Sequence, residues 1–322
     1  MLPNYPFFGH FARCVSAASL AAFLQFPAFF PSCTVQEELS RDKPIVSLRT
    51  KGVLPEAVDL FFFDTLGIQG LDSYQQVTDL NQNIYGLSGS GVKRLVALSG
   101  KAGEKGAWAQ IRTYGNLCKH SFSLEREAPE SPLLYGECLL EDGASRLAVL
   151  ELRPALAAIR LRSVSCDFSG RPYADATFLN RQLFLTYAGS ECLPLGAGDG
   201  KPFSWMNPGY LDSLAVARLP YPSMLWQEGC GTVSRTRIYP DKRFYCYPGP
   251  DCHLVLEGSV AGAKCFYPIP LPELAADTCL ELDITLRRIG SPGPDIPTVS
   301  GTIVMETRKV PWEEREPYTV IY

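Results

Sequence analysis

The stretch LELDITLRRIGSPGPDIP, residues 280–297, is the clearest indication of architecture in this sequence. Leucine or isoleucine occupies every second position from 280 to 286, and Glu281 and Asp283 stand between them. That period of two is typical of a β-strand with one face buried and the other, which carries Glu281 and Asp283, in water. The three prolines and two glycines of residues 290–297 favour a turn, because proline lacks a backbone donor. We therefore predict an antiparallel strand, a stiff connection and a second strand over residues 302–310.

The composition extends this prediction to the whole chain. The 322 residues include 27 glycines and 26 prolines, which are spread without a repeating period. Such a distribution suits many short strands joined by turns, and the length suits two domains. The formal net charge of −4, with no long run of lysine or arginine, argues against a nucleic-acid partner. We predict an all-β protein that does not bind nucleic acid.

Further strands are predicted where apolar residues concentrate. The most apolar segment, VDLFFFDTLG at residues 58–67, is predicted to be a buried central strand that ends in a turn. A short helix is predicted between residues 104 and 124, and residues 191–227 are predicted to form a long irregular region. The remaining predicted strands cover residues 45–48, 86–101, 133–138, 146–152, 156–164, 178–187, 244–247, 254–260 and 264–267.

The amino-terminal region is predicted to be an export signal. Residues 15–30 are mostly apolar or small and carry no charge, with Arg13 before them. The run is short for a membrane-spanning helix. Ser32 directly before Cys33 resembles a bacterial lipoprotein signal, in which the cysteine thiol receives a diacylglyceryl group and becomes the first residue. We predict lipid attachment at Cys33, with a plain secretory signal or a buried helix as the alternatives.

These signals divide the chain into four predicted segments. The lipoprotein signal peptide covers residues 1–32, and a tether covers residues 33–43. An N-terminal β-sandwich is predicted over residues 44–152 and a C-terminal β-sandwich over residues 153–322, because a new strand pattern begins after Pro154.

The cysteines do not define a disulfide framework or a metal site. Eleven are present, and removal of Cys14 with the signal and of Cys33 as the lipid site leaves nine, an odd number. Cys246 and Cys252 could pair across five residues, but buried single thiols are the favoured interpretation for most of the cysteines. The sequence has no C-x-x-C, and His253 beside Cys252 lies at the start of a strand pattern. No metal and no cofactor are predicted.

No motif indicates catalysis. The sequence lacks G-x-S-x-G, HExxH, the P-loop and the dinucleotide fingerprint. Outside the signal only His120 and His253 are available for a triad, and neither has a supporting context. Glu313 and Glu314 stand beside Trp312 near the chain end, where a solvated terminus explains them better than a glycosidase pair. We predict that the chain has no catalytic residues and is not an enzyme.

Two aromatic segments have a binding interpretation and a structural one. In FYCYP, residues 244–248, the rings could stack on sugars; alternatively, Phe244 and Cys246 fill a core while Tyr245 and Tyr247 line a partly wet sheet face. The structural interpretation is favoured.

The carboxyl-terminal tail, residues 318–322, also has two interpretations. Tyr318, Val320 and Tyr322 alternate with other residues and could be donated as a strand to another subunit by β-augmentation, or could complete the chain's own sheet. Completion of its own sheet is the favoured interpretation.

Taken in order, these pieces resemble the fimbrillin superfamily of the Bacteroidales, and most closely its fimbrillin-A-associated anchor, or minor fimbrial subunit, group. The resemblance covers nearly the whole chain. It is carried by Cys33, residues 58–67, residues 152–164, residues 245–248 and residues 284–295, with Trp312 after them.

The resemblance implies two tandem transthyretin-like β-sandwiches that are lipidated, located at the cell outer membrane and joined to other fimbrial subunits by strand exchange. In stalk and tip members an arginine-specific protease removes the first strand, and Arg49, or less favourably Arg41, is where that cut would fall here. Anchor members keep their lipid and end the polymer at the membrane. A sandwich that lacks a strand leaves backbone donors and acceptors unpaired until another chain supplies one.

Two other functional classes compete with this hypothesis. The first is a surface lipoprotein that binds glycans through exposed aromatic residues, namely Tyr245, Tyr247, Trp205 or Trp226. The second is a secreted hydrolase, which would require a turnover that a single substitution abolishes.

Overall fold

The structure is a computed structural model, and it describes residues 45–50, 55–79, 84–85, 91–99, 107–128, 131–141, 147–189, 191–193, 205–206, 223–249 and 251–312. We call residues 45–154 the N-terminal half and residues 155–312 the C-terminal half. The strands of the N-terminal half are β1 (Ile45–Thr50), β2 (Val58–Asp64), β3 (Leu71–Val77), β4 (Ile84–Tyr85), β5 (Lys93–Ser99), β6 (Phe122–Ser123), β7 (Leu134–Leu140) and β8 (Leu147–Pro154).

The C-terminal half has a similar content of strands. They are β9 (Ala157–Cys166), β10 (Phe178–Thr186), β11 (Ala188–Gly189), β12 (Glu191–Cys192), β13 (Trp205–Met206), β14 (Trp226–Val233), β15 (Lys242–Cys246), β16 (His253–Val260), β17 (Ala263–Pro270), β18 (Thr278–Leu286) and β19 (Ile303–Pro311). The helices described are α1 (Tyr114–Cys118) and three 3-10 turns, Ala107–Gln110, Leu124–Arg126 and Ser223–Leu225.

The N-terminal half is built on a folded sheet of order β3-β2-β5-β7-β8-β1-β4. Strand β8 joins its two parts: Arg153 and Pro154 pair with β7, and residues 147–152 pair with β1. Gly136 of β7 permits this crossing, because a Cβ atom there would collide with the backbone carbonyl of Glu151. The apolar side chains between the two parts form one buried cluster that includes Leu60 of β2.

The C-terminal half is a sandwich of two four-stranded sheets, of order β14-β10-β16-β17 and β15-β9-β18-β19. Each sheet contributes its apolar face to the core between them; Leu282 and Ile284 of β18 and Leu254 and Leu256 of β16 are all buried there. In this half β9 pairs in parallel with β18, as β1 pairs in parallel with β8 in the other half. All other strand pairs among the described residues are antiparallel.

One apolar cluster runs through both halves. It holds Phe61 and Val96 from the N-terminal half together with Tyr247 and Leu254 from the C-terminal half. The backbone also crosses between them, because β12 pairs with β6. The predicted division at residues 152 and 153 therefore stays a prediction, since the core is continuous across it.

The all-β prediction is confirmed, and so is the class of sandwich. The predicted buried strand at residues 58–64 is β2, and the short helix predicted between residues 104 and 124 is α1. Two of the longer strands were missed: β3, which was not predicted, and β14, which begins inside the segment predicted to be irregular. The two-residue strands β4, β6, β11, β12 and β13 were not predicted either.

Candidate functional site: the first strand and the core it covers

Strand β1 lies between two neighbours, β8 and β4. Its six residues pair in parallel with β8, from Ile45 opposite Leu147 to Thr50 opposite Leu152. On its other side Ile45 and Val46 pair with β4, and the residues that would continue this pairing lie outside those that the structure describes. Parallel pairs need a long crossover and are slightly less stable per residue than antiparallel pairs. The pairing of β1 with β8 is therefore slightly weaker per residue than an antiparallel pairing would be.

The inner face of β1 covers an apolar core. Val46 is buried, and Leu48 packs against the same cluster. This cluster, which we call the β1 core, is formed by Val46, Val58, Leu60, Phe62, Leu95, Ala97, Leu134, Leu140, Leu150 and Leu152. Departure of β1 would uncover this cluster and the backbone edge of β8, and such an edge is a template for another strand.

Arg49 lies on the outer face of β1. Its side chain is exposed, and its Cα stands opposite that of Glu151 on β8. Cleavage after Arg49 would require the carboxyl end of β1 to leave the ladder, because proteases cleave locally opened chain. The structure thus places one predicted processing site on the exposed face of β1. Arg41, Cys33, Tyr318, Val320 and Tyr322 lie outside the described residues.

A buried polar cluster joins the two halves beside the pairing of β12 with β6. The hydroxyl of Tyr247 donates to Oε1 of Glu127 at 2.6 Å, and the backbone N–H of Leu133 donates to Oε2 of the same carboxylate at 3.0 Å. Burial raises the pKa of Glu127, and the two hydrogen bonds oppose that rise. Burial, then the nearby Cys192 and Glu127, raises the pKa of Tyr247. This cluster fixes the two halves together through residues far apart in sequence.

The polar face of β18 is covered, contrary to the sequence prediction. Glu281 and Asp283 were predicted to face water, but both are buried. Arg160 of β9 donates to Glu281 at 3.2 Å, and Nε of Arg308 on β19 donates to it at 2.9 Å. The hydrogen bond from Arg162 is the main cause that lowers the pKa of Asp283. The prediction was wrong because long arginine side chains from the two flanking strands extend over these carboxylates.

The aromatic residues proposed to bind glycans do not form one exposed platform. Tyr247 is fully buried, so its predicted place on a partly wet face is wrong. The ring of Tyr245 packs on Trp312 with centroids 5.5 Å apart. Nε1 of Trp226 donates to Oε1 of Gln182 at 2.9 Å. The side chain of Trp205 lies outside the described residues.

The cysteines act as small buried or half-buried groups. Cys246 and Cys252 are both buried thiols without a disulfide bond, and they are hydrogen-bonded to each other. Within the described part of the chain, no group of three or more histidine, cysteine, aspartate or glutamate residues is placed to hold a metal ion. Over the same residues, no helix is both long and apolar enough to cross a membrane.

Comparison with known proteins finds likeness in structure only. No family model matches the chain, and no curated protein matches it. A "putative cell adhesion protein" from Bacteroides eggerthii has a TM-score of 0.62 at 16% identity, over 84% of this chain and 96% of its own. Another, from Parabacteroides distasonis, has a TM-score of 0.61 at 11% identity, over 86% and 99%. A fimbrilin from Porphyromonas gingivalis has a TM-score of 0.58 at 10% identity, over 84% and 98%.

At such low identities this likeness establishes the fold. The chain has the fold of Bacteroidales fimbrial and cell adhesion proteins, and it matches nearly the full length of each of those structures. The resemblance to the fimbrillin superfamily is confirmed at that level.

Proposed function

We propose that this chain is a structural subunit of a cell-surface fimbria, an anchor or accessory subunit that is lipidated at Cys33 and assembles with other subunits by β-strand exchange. Its location would be the outer face of the cell outer membrane. The observation that carries the proposal is the position of β1: all six of its residues pair in parallel with β8, and its inner face covers an apolar core. The likeness in fold to fimbrial and adhesion proteins supports it.

Strand exchange follows from the physics of the β1 site. If β1 leaves, the β1 core is exposed to water together with an unpaired backbone edge. Each fully uncovered Val or Leu side chain costs roughly 1.5–3 kcal/mol. A strand from another subunit, with apolar residues at every second position, would restore both the burial and the hydrogen bonds. The tail residues Tyr318, Val320 and Tyr322 have that alternation; if they do not complete the chain's own sheet, they are the strand that this subunit donates.

In this proposal the protein acts through backbone hydrogen bonds at the edges of its strands and not through a reactive side chain. The proposal therefore includes no catalytic residue, no metal and no cofactor. The partners are other fimbrial subunits, with the membrane contacted through the lipid.

The first experiment expresses the protein in bacterial cells that process lipoproteins and determines its mature amino terminus by mass spectrometry. We expect a diacylglyceryl-modified Cys33 as the first residue, and we expect Cys33→Ser to abolish membrane attachment. A protein that begins at another residue, carries no lipid and still stays attached to the membrane would contradict the lipid anchor.

The second experiment treats the protein with an arginine-specific protease and follows assembly by size-exclusion chromatography. Cleavage after Arg49 should yield a chain that begins at Thr50, without Cys33 and its lipid, and that forms multimers because residues 45–49 of β1 are gone. A subunit that keeps its lipid as an anchor should remain uncleaved in the cell. Arg49→Ala should block this product, and Arg41→Ala is the matched control that should not. Multimers of equal size from the uncleaved chain would argue against strand exchange.

A further inference from the structure

Four exposed aliphatic side chains lie at one pole of the N-terminal half, and two of them are the most exposed large aliphatic side chains of the described residues. Leu66 is 84% exposed and Ile68 is 82% exposed, both in the turn between β2 and β3. Val92, just before β5, is 43% exposed, and Leu139 on β7 is 58% exposed. We call these four residues the aliphatic tip.

The four residues lie together because of the strand order. Strands β3, β2, β5 and β7 are consecutive neighbours in the sheet. Asp64 at the end of β2 pairs with Lys93 at the start of β5, and Lys93 pairs with Leu140 at the end of β7. Since neighbouring strands are about 4.8 Å apart, the tip spans roughly 15 Å.

The turn that carries the tip is fixed rather than loose. The Thr65 hydroxyl donates to the carbonyl of Val92 at 3.1 Å, and the N–H of Asp64 donates to the carbonyl of Gly70 at 2.9 Å. Gly67 has a φ of +62°, a conformation that glycine adopts at no steric cost. The backbone therefore holds Leu66 and Ile68 outward. Several aliphatic residues held outward at one pole indicate an interaction surface.

The chain enters the sheet at the same pole. Strand β8 begins at Leu147, after the connection that follows the end of β7, and Ile45 at the start of β1 lies beside Leu147. Cys33 precedes Ile45 by twelve residues. A tether of that length spans at most about 40 Å, and on average about 20 Å when flexible. A lipid on Cys33 would therefore keep this pole close to the bilayer surface.

We propose that the aliphatic tip inserts into the surface of the lipid bilayer to which the chain is anchored, as a second attachment beside the lipid on Cys33. This rests on the lipidation in the proposed function. A diacylglyceryl group anchors the amino terminus through two acyl chains, and an apolar surface that the tether holds near the bilayer meets it at a high effective concentration. The pole therefore faces the membrane, and the C-terminal half is directed away from it.

The charges around the tip favour contact with lipid of any headgroup. Lys93 is buried, and its ammonium group is paired with Asp64 at 2.7 Å and with Asp72 at 3.3 Å. Arg94 is paired with Glu137 at 3.3 Å. Because these cations already have acidic partners, attraction to anionic lipid adds little. Binding should then occur on neutral phosphatidylcholine and should depend only weakly on salt.

The test uses the chain from residue 34 onward, which lacks the apolar signal and any lipid. Residues 41–322 form one compact unit, so all the described strands remain. Co-sedimentation with neutral phosphatidylcholine vesicles measures its partition coefficient. The variant Leu66→Ser with Ile68→Ser should reduce that coefficient about ten- to a hundredfold, since each 1.4 kcal/mol of lost apolar burial is tenfold.

The matched control is Ile296→Ser with Val299→Ser, on the connection between β18 and β19. These side chains are 49% and 68% exposed, but they lie in the C-terminal half. This control should partition as the unaltered chain does, and both variants should keep its melting temperature because the replaced side chains are exposed. Equal partition by the tip variant and the unaltered chain would overturn the proposal. Concentration-dependent self-association that needs the tip, without vesicle binding, would also overturn it and assign the tip to a second copy.

Mass spectrometry of the mature amino terminus separates this proposal from the one on which it rests. An unlipidated Cys33 combined with tip-dependent vesicle binding would refute the anchor and leave the tip as the membrane contact. A lipidated Cys33 combined with tip-independent partition would refute the tip and leave the anchor.

Discussion

Glu127 and Tyr247 show how a single buried carboxylate can join two halves of a protein. Their side chains come from positions 120 residues apart and meet at 2.6 Å. A buried carboxylate without partners would be costly, but this one accepts hydrogen bonds from the Tyr247 hydroxyl and the Leu133 N–H. The neighbouring Cys192 lies on β12, which pairs with β6 across the junction.

Removal of the hydroxyl at this junction should destabilise the protein. We expect Tyr247→Phe to lower the free energy of unfolding by about 1–3 kcal/mol, because Glu127 would lose a partner without gaining water. Denaturant unfolding at pH 7 measures the change. Tyr245→Phe is the control, since the Tyr245 ring packs on Trp312 through its apolar faces, and it should change stability by about 0.5 kcal/mol or less. Equal effects of the two substitutions would contradict a specific role for the Tyr247 hydroxyl.

The same carboxylate predicts a dependence of stability on pH. Burial raises the pKa of folded Glu127 above its ordinary value of 4.5, so the folded protein holds this proton more tightly than the unfolded chain does. Its contribution is therefore fully present below pH 4.5 and is lost as the pH rises through the folded pKa. Glu127→Gln should be less stable overall but should lose less stability between pH 4.5 and pH 7. Parallel pH profiles of the two proteins, measured by denaturant unfolding, would contradict this.

Glu281 of β18 lies between an arginine of β9 and an arginine of β19. It is buried, and it accepts hydrogen bonds from Arg160 at 3.2 Å and from Arg308 at 2.9 Å. Glu281→Ala should cost about 1–2 kcal/mol, because both arginines are partly exposed and can regain water. The exposed Glu306 on the neighbouring strand is the matched position, and Glu306→Ala should leave the denaturation midpoint nearly unchanged. A larger loss at Glu306 than at Glu281 would refute this account.

Strand β1 is the element whose attachment matters most for the proposed assembly. Its six residues pair in parallel with β8, and Ile45 and Val46 also pair with β4. Its side chains alternate between the two faces, with Val46 buried and Arg49 exposed. Burial of the inner side chains is therefore one restraint on its release.

A weaker inner face should make β1 open more often. We expect Val46→Ser to raise the rate of cleavage after Arg49 by an arginine-specific protease at least about tenfold, because loss of a buried aliphatic group lowers the free energy of local opening. Cleavage is followed by mass spectrometry under native conditions. Ser47→Ala changes the next side chain, which points away from the β1 core, and should leave the rate unchanged. A rate in Val46→Ser equal to that of the unaltered chain would show that β1 is not held by this contact.

The continuous core determines how the whole chain should unfold. The larger apolar cluster contains residues from both halves, and the pairing of β12 with β6 crosses the junction. Neither half can therefore unfold without exposing apolar surface of the other. This arrangement favours one cooperative transition over two.

Calorimetry can test this cooperativity. We expect a single thermal transition in which the calorimetric enthalpy equals the van't Hoff enthalpy. A protein whose halves unfold independently would give two transitions or an enthalpy ratio well above one. Tyr247→Phe, which weakens the junction, should lower the temperature of the transition without splitting it.

The local sequence pattern predicted the elements in which apolar side chains alternate with polar ones or form a continuous run. The run at residues 58–64 and the alternation at residues 280–286 both became strands, β2 and β18. Strand β3 was missed because none of its residues is fully buried, so its sequence LDSYQQV carries little apolar signal. Strand β14 was missed because Gly229 and Gly231 interrupt its pattern, and its register with β10 is irregular.

The residues alone determined that the chain forms short strands with glycine and proline between them, because the period of apolar residues and the preferences of turn residues are local properties. Only the folded structure decided that β1 lies parallel to β8, that arginines cover Glu281 and Asp283, and that Tyr247 is buried against Glu127. Alternation reports which side chains share a face, but it does not report which strand will lie beside that face. Neighbours are chosen by contacts between residues far apart in sequence, and the covered carboxylates and the aliphatic tip both follow from that choice.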